Sequence, residues 1–254
     1  MATTIPSAPS STASVDPMRR TSRAAGILYL ITFVSVPTLM AFQPVRDGAD
    51  FVLGTGSATG VLWGSFSEVV VALAGIGTAV VLFPVARRVS ETAALGFVTA
   101  RVVEGSLIIV GVVNIHTLVT LRDDVAGTAG ADQGSLVTTG HTLVATYDWA
   151  FLLSQSLMPV FNALCLGYVL YRSGLVPRIL PTIGLIGAPL LLAADIAIFF
   201  GVFDRTGPIA LAALPIAVWE FSLGVYLTVK GFRPSALAAL PSGGGTRTSG
   251  PAPA

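Results

Sequence analysis

Arg101 and Glu104 lie three residues apart within an apolar stretch, 96–111, which reads GFVTARVVEGSLIIVG. Residues at this spacing share one face of an α-helix, so the guanidinium can pair with the carboxylate. A charged side chain in hydrocarbon is costly unless it is paired, and it often marks an ion or proton pathway. The spacing therefore predicts an ion pair that faces the interior of a helix bundle.

Two further polar residues are expected at the same depth. At the helical rise of about 1.5 Å per residue, Glu104 and Glu220 both fall about 14 Å from one membrane boundary. Asn162 falls near the depth of Arg101 and can supply further hydrogen bonds. These residue types and depths predict a polar centre formed by Arg101, Glu104, Glu220 and Asn162.

A second polar layer is predicted nearer the opposite boundary. Glu68 and Asp195 both fall within ~10 Å of that boundary by the same count. Asn114, Gln155 and His116 lie at similar heights. Whether these side chains converge depends on the rotation of each helix, which the sequence leaves open.

Three functions remain open for these polar residues. The favoured one is structural, in which the polar residues fix one packing of the helices. They can also bind a cation or a proton in a small transporter or a proton-coupled carrier, whose small-molecule or ion substrate the residues do not identify. A membrane-embedded enzyme is the third alternative. An enclosed, water-filled cavity that reaches Glu104 would favour transport, whereas a dry, fully paired layer would favour the structural role.

The enzyme alternative has little support in the sequence. His116 and His141 are the two histidines, and neither has a second ligand one helical turn away, as a helical zinc pair requires. Neither a phosphate-binding glycine loop nor a nucleophile elbow occurs. We therefore predict no catalytic residue, no metal site and no cofactor.

The composition is that of a membrane protein. Of 254 residues, 53% are hydrophobic and 11% are charged, and the mean hydropathy is +0.81. Soluble domains carry about 25% charged residues. The net charge of +1, without a basic face, argues against a nucleic-acid partner. The lipid bilayer is the predicted partner, and a homo-oligomer is left open.

Six apolar segments are long enough to cross a bilayer core of ~30 Å as helices. They are approximately 24–42, 61–86, 93–121, 149–171, 179–203 and 208–229. The predicted fold is an all-α bundle of six transmembrane helices over 23–233. The flanking segments 1–22 and 234–254 are rich in small and polar residues and are predicted to be disordered cytoplasmic tails.

The basic residues predict the orientation. Ten of the fourteen lie in the tails and in the second and fourth loops between the segments, and Lys and Arg resist translocation. Thirteen of the fourteen are arginine, which is typical of a GC-rich bacterial genome. Both termini are therefore expected in the cytoplasm, with the chain in the bacterial inner membrane. The external loop 122–147 is expected to be a solvated connector, with a surface helix or a binding role as alternatives.

Several stretches of the chain resemble one family. They are RAAGILYLITF, ALGFVTARVVEG, FLLSQSLMPVFNALCLGYVLYRSGLVPRIL, GLIGAPLLL and LPIAVWEFSLGVYLTVKGF. Over residues 20–233 the chain resembles the bacterial six-span membrane proteins grouped as a domain of unknown function, family 4386. The resemblance implies the same six-span fold and implies no substrate, cofactor or catalytic residue. Its motif positions in this chain are Arg101, Glu104, Pro177, Arg178, Trp219 and Glu220.

Overall fold

The computed structural model describes residues 15–35, 38–48, 50–125, 132–205 and 207–241, and within these ranges the regular structure is helical, without a β-strand. The helices are α1 (Val15–Thr32), α2 (Thr38–Ala41), α3 (Gln43–Asp47), α4 (Ala58–Ala86), α5 (Glu91–Val125), α6 (Gln133–Phe151), α7 (Met158–Ser173), α8 (Ile179–Phe199), α9 (Leu214–Val229) and α10 (Pro234–Ala239). A π-helical segment, Leu152–Leu157, joins α6 to α7. A 3₁₀ segment, Pro208–Ala213, leads into α9. The predicted all-α class is confirmed.

Five helices are long and apolar enough to cross a membrane. They are Ala58–Ala86, Glu91–Val125, Gln133–Ser173, Ile179–Phe199 and Pro208–Val229. Large apolar side chains such as Leu73, Val80 and Ile186 are about 60% exposed on the outside of the bundle. Apolar side chains on the outer surface suit a protein whose surroundings are lipid, so the fold is that of a membrane protein.

Six of the seven long helices among the described residues form a closed ring. Helix α1 packs against α4, α4 against α5, α5 against α7, α7 against α8, and α8 against α9, which returns to α1. Consecutive helices run antiparallel, as expected from short connections. Gly75 of α4, for example, lies opposite Arg101 of α5, while Gly105 further along α5 lies opposite Ala72. The ring encloses buried polar side chains such as Glu68, Arg101 and Asn162.

The first apolar segment was predicted to be one membrane span over 24–42, and the structure differs from this prediction. Helix α1 begins at Val15 and ends at Thr32, and α2 begins at Thr38. Residues 36 and 37 lie outside the described residues. The first half of α1 carries Arg19, Arg20 and Arg23, so its apolar part is short, and α1 is absent from the five candidate spans.

The predicted external connector 122–147 is helical over 122–125, the end of α5, and over 133–147, in α6, so the expected connector was wrong there and the alternative of a helix in this segment was correct. Asp132 caps α6, because its Oδ1 accepts a hydrogen bond from the N–H of Gly134 at 3.1 Å. The hydroxyl groups of Thr138, Thr142 and Thr146 donate to carbonyl oxygens one turn earlier. These bonds satisfy the polar side chains within the helix. Residues 126–131 lie outside the described residues.

Both predicted tails overlap described helices. Residues 15–22 belong to α1, and residues 234–239 form α10, so these parts are helical rather than disordered. Arg88 holds the segment after α10, because its Nε donates to the carbonyl oxygen of Pro241 at 2.9 Å and its Nη2 to that of Leu240 at 3.2 Å. Residues 1–14 and 242–254 lie outside the described residues.

Candidate functional site

Arg101 joins two helices through two carboxylates. Its Nη1 donates to both carboxylate oxygens of Glu104 at 3.0 Å, within α5. Its Nη2 donates to Oε1 of Glu220 on α9 at 2.7 Å. The Arg101 side chain is only 1% exposed. One guanidinium therefore neutralises charge from two helices that are far apart in sequence.

The surroundings of Arg101 explain how a buried guanidinium fits. Gly75 of α4 packs against the arginine, since a Cβ atom there would lie 3.8 Å from Cδ and Nη1 of Arg101, an ordinary van der Waals distance. The Tyr29 and Phe97 rings face the guanidinium, with centroids 5.1 and 5.8 Å from Cζ. Aromatic faces attract cations, which adds to the stabilisation from the carboxylates. Tyr29 was absent from the predicted centre because an aromatic residue in an apolar segment gives no polar signal.

Asn162 of α7 completes the group. Its Nδ2 donates to Oε2 of Glu104 at 2.6 Å, and the residue is fully buried. The four residues that were predicted to share a layer, Arg101, Glu104, Glu220 and Asn162, thus lie in one hydrogen-bonded cluster, which we call the inner centre. It ties together α5, α7 and α9.

A cavity of about 280 Å³ lies against the inner centre. Every long helix contributes to its wall, which includes the π segment before α7. From Glu220 to Ala213 the lining extends roughly 10 Å along the chain leading into α9, by the helical rise. The lining residues are Thr32, Phe33, Val71, Arg101, Glu104, Phe151, Gln155, Pro159, Leu191, Ala213, Ile216, Ala217 and Glu220. The cavity is therefore central to the ring, charged at one end and largely apolar elsewhere.

A second cluster forms around Glu68 of α4. Its Oε1 accepts a hydrogen bond from the Tyr147 hydroxyl at 2.6 Å and one from Nε2 of Gln155 at 3.3 Å. Glu68 is fully buried, and its Oε2 has no hydrogen-bond partner among the described residues. Gln155 also lines the cavity, so it lies between Glu68 and the inner centre.

The predicted outer layer therefore forms only in part. Asp195 is held separately, because its Oδ1 accepts a hydrogen bond from the Ser156 hydroxyl at 2.6 Å. The inclusion of Asn114 and His116 was wrong. Asn114 donates from Nδ2 to the carbonyl oxygen of Val110 on its own helix, and His116 is exposed. Both were placed by depth alone, and the rotation of α5 turns Ile115 rather than its neighbours toward the core.

The π segment explains how neighbouring residues reach different partners. Pro159 lacks an N–H group and cannot continue regular α-helical bonding, and the wider turn at Leu152–Leu157 comes just before it. Within this turn Gln155 contacts Glu68 while Ser156 contacts Asp195. Segments of this kind are frequent at functional sites.

No three His, Cys, Asp or Glu side chains of the described ranges come together in a group that could hold a metal ion. Cys165 of α7 is free and half-buried. Its Sγ would lie 2.8 Å from a Cβ at Gly96, so it packs closely against α5. This packing indicates a structural role for Cys165.

Comparison with known proteins identifies one family. The family model described as a domain of unknown function, DUF4386, matches residues 24–231. Neither a curated protein nor a solved structure matches the chain. The match covers the helical ring from α1 to α9 and includes all of the inner centre. The chain belongs to the DUF4386 family, a domain of unknown function.

Proposed function

We propose that this protein is a six-span carrier of the bacterial inner membrane that binds a small solute in its central cavity. The cavity carries the proposal, because all six helices of the ring line it and three charged side chains stand at one end. A cavity between helices, with few polar groups and a largely apolar wall, is the usual form of a small-molecule site. Charged residues at membrane depth mark substrate or ion pathways.

Six spans with both termini in the cytoplasm fit the ring. Helix α1 packs between α4 and α9, with Ala25 and Tyr29 fully buried, which supports its role as a sixth span. The distribution of basic residues supports the orientation. This orientation places three basic residues on the external side of the membrane, Arg46, Arg122 and Arg205, and each of them binds groups of the protein. Arg122 donates to the carbonyl oxygens of Gly54, Thr55 and Gly56 at 2.8 Å, and Arg46 and Arg205 both pair with Asp148.

A structural role is the second candidate function of the inner centre. Arg101 pairs with both carboxylates, and Asn162 binds Glu104, so the cluster joins three helices. Such a cluster specifies one packing arrangement. The two roles are compatible, since a carrier needs rigid walls. The buried carboxylates Glu68 and Glu104 and the partly buried Glu220 are also groups that a proton-coupled carrier would use.

Transport is tested by filling the cavity. Ala217 lines it, whereas the adjacent Val218 is 44% exposed on the outside of α9. Proteoliposomes with the full-length chain are assayed with a panel of H⁺, Na⁺ and radiolabelled small cations, anions and neutral solutes. Wild type and Val218→Phe are expected to move one of these solutes, and Ala217→Phe is expected to lose that flux. Absence of flux for the whole panel in the wild type, or equal flux in both variants, would contradict the carrier function.

A further inference from the structure

We infer that the solute is a small organic cation with a single positive charge, whose head contacts Glu220 and whose apolar body fills the rest of the cavity. This inference rests on the proposed function, because it identifies the chemical class that the same cavity takes. The charges of the inner centre, the accessibility of its members and the remaining wall each support it.

The charges of the inner centre do not balance. Two carboxylates face one guanidinium, so the cluster has a formal charge of −1 when both glutamates are ionised. Both oxygens of Glu104 accept hydrogen bonds from Arg101, and Oε2 accepts another from Asn162. Within the described residues, Glu220 receives one hydrogen bond, at Oε1. The unmatched negative charge therefore lies at Glu220.

Glu220 is also the most accessible charged group of the cluster. Its side chain is 12% exposed, compared with 9% for Glu104 and 1% for Arg101. An anion would have to reach Arg101, but both Nη atoms already donate to carboxylates. The Nε atom lacks a hydrogen-bond partner among the described residues, but it is buried. The accessible electrostatics thus favour a cation over an anion.

The rest of the wall favours an organic cation over a metal ion. Apart from the charged residues, Thr32 and Gln155 are the polar lining residues, and the hydroxyl of Thr32 already donates to the carbonyl oxygen of Tyr29 at 2.7 Å. Hard metal cations take about six or more oxygen ligands, and this wall offers few, so water would have to supply most of them in a largely apolar cavity. Phe33 and Phe151 offer aromatic surface, which suits both an apolar body and a positive charge.

The test compares three probes that share one ring and differ in charge. Benzylammonium, benzyl alcohol and benzoate are titrated into the purified full-length protein in detergent, and binding is measured by calorimetry. Wild type is expected to bind benzylammonium in preference to the other two. Glu220→Gln is expected to weaken this binding about tenfold or more, which corresponds to about 1.4 kcal/mol. The matched control is Glu91→Gln, because Glu91 is exposed at the start of α5 and outside the cavity.

Ala217→Phe provides a second variant, which keeps all three charges and fills the cavity. Ala217→Phe is expected to abolish benzylammonium binding. It therefore still tests the inference if Glu220→Gln fails to fold. Equal or tighter binding of benzoate or benzyl alcohol, lost in Ala217→Phe, would overturn the cation class and leave the solute cavity standing. Failure of all three probes to bind, or binding that Ala217→Phe leaves unchanged, would overturn the inference, and the flux panel would then decide the carrier function separately.

Discussion

Arg101 is the residue on which the inner centre depends. It is buried, and it donates to carboxylates on α5 and α9 at 3.0 and 2.7 Å. A buried ion pair adds little net stability when it is compared with an apolar replacement. Removal of one partner is different, because the remaining buried charges are left without compensation. The arginine is therefore indispensable to the fold in the presence of its two glutamates.

Arg101→Gln is expected to lower the free energy of unfolding by about 3–5 kcal/mol. The double variant Arg101→Gln, Glu104→Gln should regain part of this loss, because it removes one of the orphaned carboxylates. The free energies are measured by reversible unfolding in mixed detergent micelles. Arg87→Gln is the matched control, since Arg87 is exposed between α4 and α5. A loss no larger than that of this control would show that the cluster does not stabilise the bundle.

The height of a single residue along its helix was predictable, but the rotation of the helix about its axis was not. The depth of Glu104, Glu220 and Asn162 followed from counting along each helix, and the three lie in one cluster with Arg101. The same count placed Asn114 with Glu68, yet the hydrogen bond that Asn114 makes among the described residues is to Val110 of its own helix. These helices carry apolar residues on every face. No single hydrophobic face therefore shows which side of the helix points inward.

At the scale of helices, close packing depends on glycine. Gly184 of α8 lies directly against Trp219 of α9, whose side chain is fully buried. A Cβ atom at position 184 would lie 2.5 Å from Cδ2 of the indole. That separation is far below van der Waals contact, so any side chain here must push the two helices apart. The same helix pair carries Glu220 and forms part of the cavity wall.

Gly184→Ala is therefore expected to destabilise the protein by about 1–3 kcal/mol, the usual cost of overpacking. The control is Gly60→Ala in α4, where an added Cβ meets nothing within 4 Å. Because alanine favours helix more than glycine does, this control should be neutral or slightly stabilising. Thermal unfolding in detergent compares the two variants. Equal melting temperatures would contradict the close contact between α8 and α9.

The boundaries of the helices were less predictable than the all-helical class of the fold. The segment 133–147 is rich in Gly and Thr and resembles a loop, but local hydroxyl and cap bonds make it helical. The π segment before Pro159 depends on how the surrounding helices accommodate the lost hydrogen bond. These features depend on where polar groups find partners, which composition does not specify.

At the scale of the molecule, the contact between α1 and α9 closes the ring. A Cβ at Gly26 of α1 would clash with the backbone of Thr228, and Gly224 of α9 lies against Tyr29 and Leu30. This contact holds the chain's first and last long helices together. Tyr29 then reaches Arg101 from α1, so closure of the ring also completes the inner centre.

The membrane topology is tested with three single cysteines in a Cys165→Ala background. Thr21→Cys lies in α1, Ser57→Cys precedes α4, and Ser235→Cys lies in α10. An impermeant maleimide should label Ser57→Cys on intact cells, and the other two only after permeabilisation. Labelling of Thr21→Cys from outside would mean that α1 does not cross and that the chain has five spans. Labelling of Ser235→Cys from outside would reverse the proposed orientation.

The sequence by itself determined that the long apolar segments are helices, and it gave the relative height of the polar residues along each helix. Hydrocarbon requires every backbone polar group to be satisfied within the chain, so long apolar segments become helices. Position along such a helix converts directly into height at a fixed rise. Residue types and spacing also predicted the pairing of Arg101 with Glu104.

Only the tertiary structure decided the rotation of the helices, the closure of the ring and the cavity. Helix rotation follows from side-chain packing between neighbours, such as Gly184 against Trp219, and not from a polar face. The cavity exists because small residues such as Ala213 and Ala217 meet larger ones across six helices. The volume of this cavity depends on the rotations of six helices at once. It is therefore a property of the assembled bundle and is not encoded by any single segment.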